Sequence, residues 1–155
     1  LMFLMSCLYH SFRRGTRVKR LWRRFDYSSI YLLIGGTFTP IWLLHVGGRL
    51  GLLLCCAQWL IILVGITFVA IFGPGSLRAM HQALFITLGW SALFLLPSLF
   101  RNARGLFITT LAGGVFYTLG IIPFAIKTRG SHFLWHFFVM AGAAAQWVGI
   151  YCFLY

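Results

Sequence analysis

Residues 52–72 read LLLCCAQWLIILVGITFVAIF. A bilayer's hydrocarbon core is about 30 Å thick, and a helix rising about 1.5 Å per residue needs about 20 mostly apolar residues to cross it. The stretch has that length and carries no charge. It is apolar on every face, unlike the one-sided helix of a soluble domain or the alternating strand of a membrane barrel. The fold class that follows is all-α, a polytopic bundle of membrane helices.

Working outward, the Gly, Pro and Arg punctuation cuts the chain into five such runs: 28–46, 50–71, 81–99, 106–126 and 133–155. Residues 1–12 are too short to span and read as the end of a further segment. That opening has its apolar residues before any charge, the reverse of a signal peptide, so the chain reads as a fragment lacking its amino-terminal part. Residues 1–155 are expected to form one transmembrane helical domain of six segments.

Composition agrees. Of 155 residues, 61% are apolar and 9% charged, whereas soluble domains carry about 25% charged residues. Thirteen Lys and Arg face a single acid, giving a net charge of +12. The cations fall between apolar runs, so the chain has no solvated basic face and nucleic acid is not an expected partner. Cys7, Cys55, Cys56 and Cys152 lack zinc-knuckle spacing and read as small buried hydrophobes.

Loops rich in Lys and Arg stay in the cytoplasm. Ten cations lie in 13–25, 72–80 and 127–132, and the other three are Arg49, Arg101 and Arg104. This places the first set of loops inside a cell membrane and the carboxyl terminus outside. The basic stretch 13–24 can also touch anionic lipid, although orientation alone accounts for it. Gly35, Gly36, Gly113, Gly114, Gly120 and the run 142–145 read as surfaces for close helix packing.

Ionisable groups at membrane depth are costly, so each is a functional hypothesis. Ser6 and His10 are four apart and share a helix face, as do His132 and His136, while Asp26 is the chain's only acid. Topology brings these three helix ends to one depth on the cytoplasmic side. Three imidazoles are the ligand set of a catalytic zinc site with an open fourth position. Asp26 would then accept a proton from bound water, and Ser6 would bond a neighbouring group or the substrate. Taken singly, each has a plainer reading: an interfacial His, a Ser bonded to its own backbone, an Asp capping a helix or pairing in a loop. Their conjunction favours the site. His45 reads as interfacial, and His81 has no second ligand at helical spacing.

At these residues the sequence resembles the hemolysin III family. This is the bacterial branch of the progestin and adiponectin receptor (PAQR) family, within the larger group of membrane hydrolases that includes alkaline ceramidases. SCLYHSF at 6–12 matches the SxxxH element, FDYSSIYLLIGGTFTP at 25–40 the Asp-led span, and HFLWHFF at 132–138 the terminal HxxxH. GGVFYTLG at 113–120 resembles the penultimate span. The resemblance implies a seven-helix bundle with its amino terminus inside. It also implies zinc bound by His10, His132 and His136 toward the cytoplasmic face, Asp26 contacting the ion through water, and Ser6 nearby.

The leading functional expectation is a zinc-dependent hydrolase of a lipid amide or ester, with membrane lipid as both environment and substrate. The alternative is a receptor-like or membrane-homeostasis protein with structural zinc. A pore-forming cytolysin ranks last, because uniformly apolar runs with short loops do not suit a protein that inserts from water.

Overall fold

The computed structural model describes residues 1–126 and 130–154. Among these, regular structure is entirely helical. Helices Arg17–Val46, Gly48–Phe72, Arg104–Pro123 and Ser131–Phe153 are each long and apolar enough to cross a membrane, and Arg78–Phe94 with Leu96–Asn102 qualifies as one broken segment. The chain divides into two compact units, Leu1–Gly89 and Trp90–Tyr155.

Unit 1 holds α1 (Met2–Ser11), α2 (Arg17–Pro40), a π-helical continuation over Ile41–Val46, α3 (Gly48–Phe72) and α4 (Arg78–Gly89). The basic loop expected over 13–25 is mostly helix. Thr16 caps α2 by accepting the Lys19 amide at 3.2 Å, and Arg and Lys are good helix formers once a cap is in place. Pro40 supplies no N–H, and the turn widens just beyond it. Gly47 and Gly48 both have positive φ, 64° and 57°, a conformation that lets α3 fold back along α2 and that side chains with a Cβ resist.

The core of unit 1 is built on Tyr31, Ile62, Val69 and Leu88. Small residues bring the backbones together: a Cβ on Gly35 would stand 2.9 Å from Ile62 Cδ1, and one on Gly65 would stand 2.7 Å from Tyr31 Oη. Gly36 is different, with nothing within 4 Å of its would-be Cβ. It lies one residue, about 100°, round the helix from the packed face.

Unit 2 holds a 3₁₀ turn (Trp90–Phe94), α5 (Leu96–Asn102), α6 (Arg104–Ala125) and α7 (Ser131–Phe153). The span expected over 81–99 is therefore broken. Pro97 sits at the start of α5, where its missing N–H and its steric pressure on the preceding residue suit a helix beginning rather than an interior. Helices α6 and α7 run as an antiparallel pair. Gly105 meets Phe153, Gly149 meets Thr109, Gly113 meets Gln146, Gly142 meets Tyr117, and Gly120 meets Phe138. Each small residue receives a larger one from the partner helix, as membrane helices require when lipid supplies no hydrophobic drive.

Exposed apolar side chains such as Leu53, Leu60, Phe133 and Trp147 are what a surface solvated by acyl chains should carry. The cysteines follow the same logic and correct one expectation. Only Cys55 is buried, while Cys7, Cys56 and Cys152 face outward as free thiols, since an apolar thiol gains little from burial when its alternative is lipid. Lys127 and Arg129, two of the cations used for orientation, lie outside the described residues.

Candidate metal centre

In unit 1, the α1–α2 hairpin places the expected hydroxyl and carboxylate together. Lys19 Nζ donates to the carbonyls of Tyr9 at 3.0 Å and Phe12 at 2.8 Å, tying the end of α1 to the first turn of α2. Its ammonium also lies 4.7 Å over the Tyr9 ring, a favourable cation–π contact. Counting back from this clamp along two antiparallel helices brings Ser6 opposite Asp26. Both are buried, at 3% and 8% exposure, and the Ser6 hydroxyl donates to the Asp26 carboxylate. Arg23, one turn earlier on α2, adds positive charge nearby. Ser29 Oγ donates to the Asp26 carbonyl at 2.6 Å, further fixing this turn. His10 follows Ser6 on the same face of α1, about 6 Å along the axis by helical rise. It is exposed, with its ring edge-on to Tyr9.

In unit 2, the first two turns of α7 carry His132 and His136. Gly130, in the left-handed conformation at φ 89°, starts the helix. The i, i+4 spacing then stacks the rings on one face. Their Nε2 atoms are 3.2 Å apart, with the ring planes at 87°. Without metal this is an N–H···N hydrogen bond. Two imidazole nitrogens sharing a tetrahedral zinc at about 2.05 Å each would lie about 3.3 Å apart. The imidazoles are thus spaced as two ligands of one ion, provided that both carry their proton on Nδ1. Trp135 lies against both rings, with centroids 5.5 Å from His132 and 4.5 Å from His136. It was not among the sequence candidates, although its place within HFLWHFF was a usable signal.

A second polar constellation in unit 1 also escaped sequence reading. Tyr31 Oη and His81 Nδ1 are 2.9 Å apart, and both residues have no exposed surface. His81 Nε2 is buried with no hydrogen-bond partner among the described residues. Trp42 donates to Gln58, and Trp59 Nε1 donates to Thr39 at 3.0 Å. No i, i+4 pattern announces pairs that are 50, 16 and 20 residues apart.

The family described as "Haemolysin-III related" matches residues 1–147. The protein named Hemolysin-3 of Bacillus cereus is 36% identical over 93% of this chain and 66% of its own length. The Hemolysin-3 homolog of Bacillus subtilis (strain 168) is 33% identical over 98% of this chain and 72% of its own. The Monocyte to macrophage differentiation factor of Homo sapiens is 26% identical over 99% and 66%, in line with the wider receptor-family resemblance. The chain thus spans about two thirds of the length of these relatives. No solved structure matches it. Helices of spanning length, together with a family match over nearly the whole sequence, make this chain an integral membrane protein belonging to the haemolysin-III-related family.

Proposed function

We propose that His10 joins His132 and His136 as ligands of one zinc ion, and that the protein is a zinc-dependent hydrolase of a lipid amide or ester. The observation that carries this reading is the 3.2 Å approach of the two Nε2 atoms on α7, which fits the edge of a tetrahedral nitrogen site. His10, on the SxxxH element, would supply the third imidazole that the HxxxH pair needs for a three-nitrogen site. Neutral nitrogen donors favour zinc over the hard, oxygen-seeking cations.

When bound at such a site, zinc lowers the pKa of a water ligand to about 7 and polarises a carbonyl. The chain's own residues do the rest. Asp26 is the sole carboxylate, so it is the base that takes the proton from water as the new carbon–oxygen bond forms. It returns that proton to the nitrogen or oxygen leaving group as the amide or ester bond breaks. Ser6 holds the carboxylate in place by donating to it. The surrounding apolar helices admit an acyl chain from the side. The distribution of loop cations favours a site toward the cytoplasmic face.

Metal analysis and a lipid hydrolysis screen on the purified full-length protein test the reading. His136→Ala should lose zinc, and Asp26→Ala should keep zinc and lose turnover. Zinc lost from His136→Ala but kept by Asp26→Ala, with no hydrolysis by wild type, would favour the structural-zinc alternative. Equal zinc in wild type and His136→Ala would remove the site altogether.

A further inference from the structure

The segment Arg17–Val46 contains 30 residues, which at about 1.5 Å each makes about 45 Å, against a hydrocarbon core of about 30 Å. Roughly ten residues therefore extend beyond the apolar layer. The surplus must lie at the amino-terminal end of α2, because residues 28–46 contain no Lys, Arg, Asp or Glu, whereas 13–24 contain seven cations and no acid.

The structure shows how those cations are used. Lys19 is turned back onto the carbonyls that end α1. Arg23 is half-buried, over the Tyr27 ring and close to Asp26. Arg17, Arg20 and Arg24 are exposed. At about 100° per residue they fall on one side of the helix, though Arg20 spends one N–H on the Gly15 carbonyl at 3.0 Å. Val18, Leu21 and Phe25 line the adjoining side, and each is about half exposed, at 46%, 50% and 46%. A guanidinium row beside an equally exposed apolar row is matched to the boundary between headgroups and acyl chains.

We infer that the first two turns of α2 form a binding surface for an anionic glycerophospholipid. Arg17, Arg20 and Arg24 meet the phosphate and headgroup charge, and Val18, Leu21 and Phe25 meet the upper acyl chain. Charge complementarity selects the sign of the partner, since this stretch has no acid of its own to neutralise it. The exposed apolar row selects lipid over nucleic acid or free phosphate, neither of which covers it. The inference stands independently of zinc.

The test is thermal unfolding of the full-length protein in neutral detergent, titrated with phosphatidylglycerol or phosphatidylcholine. Phosphatidylglycerol should raise the midpoint and phosphatidylcholine should not, with the difference shrinking as salt is added. Arg17→Gln/Arg20→Gln/Arg24→Gln should weaken the preference for phosphatidylglycerol on the order of a hundredfold at low salt, taking each surface cation as an independent contributor. Arg17→Lys/Arg20→Lys/Arg24→Lys should retain most of it, and Arg101→Gln/Arg104→Gln should leave it intact. Equal shifts from the two lipids, an unaltered preference in the triple Gln variant, or an equal shift from inorganic phosphate or an oligonucleotide would each overturn the proposal.

Discussion

Tyr31→Phe is the sharpest probe of how unit 1 is held. The substitution removes one oxygen from a residue with no exposed surface, and leaves His81 Nδ1 without the partner that stood 2.9 Å away. His81 Nε2 has no partner among the described residues, so the variant would bury an imidazole with neither nitrogen bonded to them. An orphaned buried polar atom costs about 1–3 kcal/mol in soluble proteins. Polar pairs between membrane helices average about 0.6 and reach about 1.7 kcal/mol, because helices unfolded within the membrane find other partners. Complete enclosure puts this pair near the upper membrane value, so the expected loss is about 1–2 kcal/mol. Unfolding in mixed detergent, followed by tryptophan fluorescence, would measure it. The double variant Tyr31→Phe/His81→Leu should recover much of the loss, since replacing both partners leaves nothing orphaned. A coupling energy of zero would refute the claim that the pair holds α2 to α4.

Four further outcomes are expected. Ser6→Ala should lower stability by about 1.5–3 kcal/mol, as for a charge-assisted bond lost in a dry setting, and chemical denaturation of the zinc-free protein would isolate this from metal binding. Gly149→Val should cost about 1–3 kcal/mol by overpacking, because Thr109 occupies the space its side chain needs. Gly36→Ala should leave the unfolding midpoint unchanged or slightly raised, there being nothing for the new methyl to strike. A chelator followed by stoichiometric zinc should restore the unfolding midpoint of wild type but not that of His132→Ala, read by the same fluorescence transition.

How much of this was legible in the sequence depends on the range of the interaction concerned. Span length and uniform apolarity are local, so α3 and α7 follow from composition within a window. Pro97 is equally local, yet it was read as lying within a span, because hydropathy is blind to a missing N–H. The loop at 13–25 was misjudged for a related reason. Charge alone suggests a loop, whereas Thr16 and helix-forming Arg and Lys carry α2 outward past the hydrocarbon. The HxxxH pair was readable because helical periodicity alone stacks His132 over His136. Ser6 and Asp26 needed one more assumption, that a short turn folds α1 back on α2, and Lys19 supplies the clamp that secures it. Tyr31 and His81 needed the packing of α2 on α4, which no spacing reveals.

This division bears on how the candidate centre works. Asp26 and Ser6 belong to a hairpin fastened by its own clamp, and His132 and His136 to a helix held by reciprocal small-residue packing against α6. Each half of the proposed machinery is thus ordered by contacts within its own unit. Under the proposed ligand set, a metal would have little left to organise in either element, which is what the catalytic reading requires. A purely structural zinc has the opposite signature, because its ligands become ordered only when it binds. Helical content should therefore be unchanged in the zinc-free protein, and the Ser6–Asp26 contact should survive, observable as an unaltered stability cost for Ser6→Ala with and without metal. If removing zinc instead melts α1 or the start of α7 by circular dichroism, the halves are not preordered and the catalytic reading loses its physical basis.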